Sequence, residues 1–154
     1  MSVQVRGVTE AVRGFQKIEE FLASPKPMQA IVNDIKEKIL ADTARGHDYR
    51  GRNFEPYSAA YAKKKGTKRP DLRVSGRMLG AIRTEVVDPR HGAVYVASES
   101  ESGGASTAML AQIHTTGTGK QPQREFVNIT PNALKVFVKK HYNDPILVLA
   151  KGAR

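Results

Sequence analysis

The sequence predicts an α+β domain: a small antiparallel or mixed sheet packed by N-terminal and C-terminal helices, with a long basic connection and a mobile loop. Three observations predict it. Apolar residues recur at helical spacing near both ends of the chain. Two short runs rich in valine, residues 84–87 and 93–97, flank the turn-forming stretch Asp88-Pro89-Arg90-His91-Gly92. The chain before that hairpin is cationic, since residues 44–90 hold twelve Lys and Arg against five Asp and Glu, or +7 of a net +10.

At 154 residues the chain is expected to form a single domain over 1–154. It divides into a helical part (1–47), the basic connection with short helices (48–82), and a part with hairpin, helices and a C-terminal strand (83–154). In the first part, Val8, Ala11, Val12, Phe15, Ile18 and Leu22 share one helix face over residues 8–23, although Gly14 weakens that helix. Ser24-Pro25-Lys26-Pro27 ends it. Met28, Ile31, Val32, Ile35 and Ile39 then line the core-facing stripe of a second helix, with Gly46 as its stop.

In the connection, Tyr49, Phe54, Tyr57 and Tyr61, with Met78, Leu79 and Ile82, provide fixed anchor points, so the segment is not a disordered tail. Ser58 caps a short helix running to Lys65, with Tyr57 and Tyr61 one turn apart and three lysines at the negative end of its dipole. Residues 66–71 form a loop, and Ser75 caps another short helix through Ile82. Beyond the hairpin, residues 99–106 have almost nothing to bury and are expected to be a mobile surface loop that orders against a partner. Ser106 or Thr107 opens an amphipathic helix carrying Met109, Leu110 and Ile113. Thr130-Pro131 opens the last helix, whose buried face is Leu134, Phe137, Val138 and Tyr142. Ile146-Leu-Val-Leu-Ala150, following Pro145, is predicted as a strand that completes the sheet.

A pI near 10 attracts acidic partners at long range, whether nucleic acid, an anionic membrane or an acidic protein. No apolar run reaches membrane-span length and no signal-peptide pattern opens the chain, so it is expected to be made and to stay, at least at first, inside a cell, without membrane contact. The absence of cysteine excludes disulfides, thiol catalysis and thiolate metal sites. Gly117-Thr-Gly-Lys120 lacks the spacing of a phosphate loop, and Gln121 stands where the metal-binding Ser or Thr would be. Pro70-Asp71 and Glu85 have the spacing of a metal-dependent nuclease core, but its lysine position is Val87. His47, His91, His114 and His141 are too far apart in sequence to pair on one metal, and no Gly-x-Ser-x-Gly elbow presents a serine. The expectation is a non-enzyme without cofactors. Aromatics interleaved with Lys and Arg match no RRM, KH or zinc-finger signature, so any nucleic-acid contact would be to phosphates and independent of base sequence.

Three landmarks carry a resemblance. Gly51-Arg-Asn-Phe54-Glu-Pro56-Tyr57-Ser58 is similar to the Gly-x-x-aromatic-x-Pro-x-Ser start found in tail-completion (virion morphogenesis) proteins of long-tailed bacteriophages, the Mu-type family and its head-tail joining relatives. Leu72-Arg-Val-Ser75-Gly76-Arg-Met78-Leu79-Gly-Ala-Ile82 resembles that family's Leu-x-x-Ser/Thr-Gly-x-Leu-x-x-x-Ile segment ahead of a β-hairpin. Ala111-Gln-Ile113-His114-Thr-Thr-Gly117, followed by Gln121-Pro122-Gln-Arg124-Glu-Phe126, resembles its Ile-His-x-x-Gly and then Pro-x-Arg-x-Phe. The likeness spans about residues 50–130. Thr116 departs from it where an aromatic is common, and Glu125 where a second proline is. The resemblance implies a structural neck protein of the virion, assembled in the host cytoplasm. Its copies would form a ring, a hexamer, that completes the tail and joins it to the DNA-filled capsid, touching neighbouring neck and tail proteins.

The residues themselves point the same way. A projecting basic segment and a glutamate-bearing loop can pair between neighbouring copies in a ring. The candidate contact residues, facing acidic neighbours or DNA passing through the ring, are Lys63, Lys64, Lys65, Lys68, Arg69, Arg73 and Arg77. The inter-subunit loop is represented by Glu99, Glu101, Gly103 and Gly104. His114, Gly117, Pro122, Arg124 and Phe126 are expected to shape a turn packed on the sheet.

Overall fold

The computed structural model describes residues 7–73, 75–100, 104–118 and 121–152. Helices α1 (Val8–Ala23) and α2 (Lys26–Ala44) are followed by α3 (Ala59–Lys65) and α4 (Arg77–Gly80). Strands β1 (Ile82–Asp88) and β2 (His91–Val96) form an antiparallel hairpin, and α5 (Thr107–Thr116) comes next. The chain then runs without a break through α6 (Pro131–Val138), a π-turn (Lys139–Asn143) and α7 (Asp144–Lys151). The expected α+β class is observed, with helices at both ends and one two-stranded antiparallel sheet.

The hairpin lies on α2. Its register pairs Ile82 with Val96, Thr84 with Val94 and Val86 with Gly92, and a bulge between Val86 and Asp88 leads into the turn. Even-numbered positions face α2 while Arg83, Glu85, Val87 and Tyr95 face solvent, the alternation a half-covered sheet requires. Gly92 is needed for this contact because a Cβ there would fall 2.7 Å from the Val32 Cγ1.

The predicted C-terminal strand is a helix. Pro145 was expected to mark a turn, since proline lacks the N–H of a helical bond and its ring collides with the carbonyl four residues back. The π-turn accommodates it: the Asp144 N–H bonds to the Lys139 carbonyl five residues earlier, which widens the helix just ahead of the ring. The apolar run 146–150 therefore continues a helix that packs on α1. The π-turn also anchors the helix. The Lys140 Nζ and the His141 Nε2 each lie 2.8 Å from the Asp34 Oδ2 of α2. The Tyr142 hydroxyl donates to the Pro89 carbonyl, and its ring meets Phe21 of α1 edge-on at 6.1 Å. Burial alone would raise the Asp34 carboxyl, and the bonds from Lys140 and His141 outweigh it, leaving its pKa below the ordinary value.

Three apolar faces differ from expectation. The α2 stripe is core, with Ile31, Val32 and Ile39 at most 3% exposed. In α1, by contrast, Ala11, Ile18 and Phe21 are only partly covered and Gly14 is the buried position, while Val8, Val12, Phe15 and Leu22 face outward. In α5 the inward residues are Thr107 and Ala111, and Met109 and Leu110 are exposed. Ser106 is the N-cap, leaving Thr107 to accept the Glu99 N–H at 2.8 Å and to donate to the Ala97 carbonyl, which ties α5 to the end of β2. In the last helix no residue of α6 is buried, and Leu134 is 39% exposed.

Candidate functional site: the basic connection and its hub

One core cluster gathers Ile39, Phe54, Leu72, Met78, Leu79, Ile82, Ala111 and Phe126. It draws on α2, the connection, α4, β1, α5 and the segment after α5. All three landmark segments thus place apolar residues into the same core. Leu72 enters it with φ +52°, a left-handed conformation that costs a non-glycine residue on the order of 1 kcal/mol. The Asp71 carboxylate steadies that turn by accepting the Arg73 N–H at 3.0 Å.

Outside this core the connection is stitched down along its length. The Phe54 N–H bonds to the Gly46 carbonyl at 2.7 Å, and the Tyr49 N–H to the Glu125 carbonyl at 3.2 Å. Asp48 accepts the N–H groups of Arg50 and Arg52 at 2.9 and 2.8 Å and the Arg52 Nε at 2.7 Å. Ser58 caps α3 by accepting the Tyr61 N–H, and Gly66, with φ +76°, ends it. Tyr57 and Tyr61 meet edge-on at 4.8 Å instead of stacking flat.

Tyr57 is the hub of the segment. The Arg124 guanidinium carbon lies 5.4 Å from its ring centroid and the Lys65 Nζ 4.8 Å from it. The Lys65 Nζ donates to the Tyr57 hydroxyl at 2.9 Å and pairs with Asp71. Arg124, only 2% exposed, sends Nη2 and Nε to the Glu55 carbonyl at 2.9 and 3.3 Å, and its own N–H bonds to the His114 carbonyl at 2.6 Å. Burial pushes the Arg124 guanidinium below its ordinary pKa. The same burial, helped by the charge of Arg124, lowers the His114 imidazole, whose Nδ1 is buried without a hydrogen-bond partner.

The expected contact residues therefore separate into two groups. Lys65 belongs to the hub, because its side chain is 15% exposed and paired, so it is not a projecting cation. Lys63, Lys64, Lys68, Arg69 and Arg73 are exposed, and Arg77 is half-buried. Lys63 and Lys68 border a groove of about 460 Å³ beside α3, walled by Pro56, Tyr57, Ala59 and Ala62. Exchanging Lys65 for alanine should cost about 1–2 kcal/mol in urea denaturation, between the values for exposed and buried pairs. Lys64→Glu should change stability by less than about 0.5 kcal/mol.

Gly76 and Gly117 have φ of +81° and +70°, and a Cβ on Gly117 would lie 2.9 Å from the Gln123 backbone nitrogen. Phe126 is 1% exposed, Pro122 is half-buried and Pro56 is exposed. In the expected inter-subunit loop, Glu99 pairs with Arg83 of its own chain at 2.5 Å, so it is not unpaired, and Gly104 is exposed. Glu101 and Gly103 lie outside the described residues. Sequence reasoning missed the roles of Asp48 and Asp71, whose partners follow from loop geometry that no spacing rule encodes. No cluster of three or more His, Asp or Glu suited to a metal occurs among the described residues, and none of their helices is long and apolar enough to cross a membrane. No protein-family model matches the chain, and neither a curated protein nor a solved structure matches it significantly.

Proposed function

We propose that this chain is a non-enzymatic structural subunit of a phage neck. It acts in a ring, a hexamer, that completes the tail and joins it to the DNA-filled capsid. One observation carries this reading: Phe54, Leu72, Ala111 and Phe126, from three separate landmark segments, meet in one core, so the residues that resemble the head-tail joining family form a cooperating set. The hub built on Tyr57 holds the cationic connection rigid and presents Lys63, Lys64, Lys68, Arg69 and Arg73 outward. Fixed cations of this kind suit contact with acidic neighbouring subunits or with DNA phosphates. In this reading the protein is part of the virion and makes no covalent chemistry.

The test is removal of the protein from an infection. Filled heads and finished tails that fail to join, seen by electron microscopy, are the expected result. A block in DNA packaging or transcription would overturn the reading. The exposed lysines also favour a second reading, a sequence-independent nucleic-acid-binding protein. Retention of duplex DNA by the isolated chain, with steep salt dependence and no effect of its loss on joining, would favour that one.

A further inference from the structure

We propose that copies of this chain join head to tail, with the outward stripe of α1 in one copy seated in the groove beside α3 of the next. The inference deepens the ring reading and rests on it for closure of the assembly. Val8, Val12, Phe15 and Leu22 are 57%, 49%, 72% and 44% exposed, a row of large apolar groups on a helix that packs on its own chain by a different face. Phe15 is the most exposed of them. Glu19 completes the alternating four-and-three spacing of the row, and it forms no ion pair among the described residues.

The groove supplies the complement. Its walls are the apolar faces of Pro56, Tyr57, Ala59 and Ala62, and its rim carries Lys63 and Lys68, neither in an ion pair among the described residues. Seating Phe15 on those walls directs Glu19, one helical turn along, to the lysines. Apolar surface and opposite charge are then matched in one contact.

Charge also argues against α1 meeting its own copy symmetrically. Parallel pairing on this row sets Glu19 against Glu19. Antiparallel pairing about Phe15 sets Glu19 opposite Ala11, which offers the carboxylate no cation. Neither arrangement gives Glu19 a cation, whereas the groove opposes it to Lys63 and Lys68. A contact between two different patches leaves one of each free at the ends, so it propagates until a ring closes.

The chain has no cysteine, which makes cross-linking unambiguous. Under copper-phenanthroline oxidation, the Phe15→Cys, Ala59→Cys double variant should give a ladder of covalent oligomers, while each single variant stays a monomer on a non-reducing gel. In light scattering at high concentration, Phe15→Asp and the Lys63→Glu, Lys68→Glu variant should each be monomeric. Their equimolar mixture should stop at dimers, because one intact stripe and one intact groove remain. At concentrations where wild type is itself monomeric, all variants should melt within about 1–2 °C of it, since the altered groups are on the surface. Absence of the ladder, a covalent dimer from Phe15→Cys alone, or a mixture that stays monomeric would overturn the contact. Variants that still assemble like wild type would overturn it while leaving a ring built on another surface intact. The ring reading itself is tested by removing the protein from an infection, which is independent of these gels.

Discussion

Phe126→Ala should lower the melting temperature by on the order of 10 °C, the largest effect expected of any single substitution in this chain. Phe126 is 1% exposed and sits in the cluster where α2, the connection, α4, β1 and α5 converge. Truncating a buried phenylalanine costs about 3–5 kcal/mol through lost burial and the cavity left behind. In a domain of this size each kcal/mol moves the midpoint by roughly 2–4 °C. Such a loss is a large share of the 5–15 kcal/mol that typically holds a domain folded. Phe15→Ala is the control. The same residue type at 72% exposure should change the midpoint by no more than about 1–2 °C, as surface substitutions do. Equal effects at the two positions, measured by circular dichroism melts, would contradict the placement of Phe126 at the centre of the core.

Arg124→Ala should cost about 2–3 kcal/mol, seen as a lower urea midpoint with an unchanged slope. The Arg124 side chain is the only link described between the segment after α5 and the Glu55 carbonyl, which its Nη2 meets at 2.9 Å. It also covers the Tyr57 ring. Lysine should not rescue, because a point charge on a flexible stem cannot reproduce the guanidinium fork and would be left buried. Methionine should lose less than alanine, since it keeps the packing of the stem and removes the buried charge. Rescue by lysine would show that charge alone matters there. Loosening the hub should also free the Tyr57 end of α3, so Arg124→Ala is expected to weaken assembly although residue 124 faces no partner.

Much of this fold is legible in the sequence where the signals are local. The limits of α1, the stripe of α2, the Ser58-capped helix running to Lys65, and the hairpin around residues 88–92 all follow from spacing, capping chemistry and turn residues. The failures are places where a distant contact decides. Pro145 carries a local stop signal, yet a π-turn absorbs it and the run 146–150 stays helical. The α1 periodicity correctly gave a helix, but periodicity cannot say which part of a broad apolar arc finds cover, and Gly14 was the position that did. In α5, small Ala111 and hydroxyl-bearing Thr107 turn inward because β2 ends beside them. The candidate site was half visible. Clustering of Lys and Arg marked the segment, and nothing in the letters distinguishes Lys65, folded over Tyr57, from Lys64 next to it. The Pro-x-Arg-x-Phe landmark singled out Arg124 and Phe126 as turn formers. That they are a staple and a core residue depends on Glu55 and Ile39, both more than sixty residues away in sequence.

The π-turn amounts to one extra residue inserted in an otherwise regular helix. It lets Lys140 and His141 reach Asp34 while their neighbour Tyr142 reaches both Pro89 and Phe21. Loss of a single codon in 139–143 would restore ordinary winding with α7 still in register, but Lys140, His141 and Tyr142 could then no longer all reach Asp34, Pro89 and Phe21. The length of this stretch is therefore under tighter constraint than its spelling: point changes there can be absorbed one contact at a time, whereas a frame-preserving deletion would undo the Tyr142 contacts to α1 and to the tip of the hairpin together.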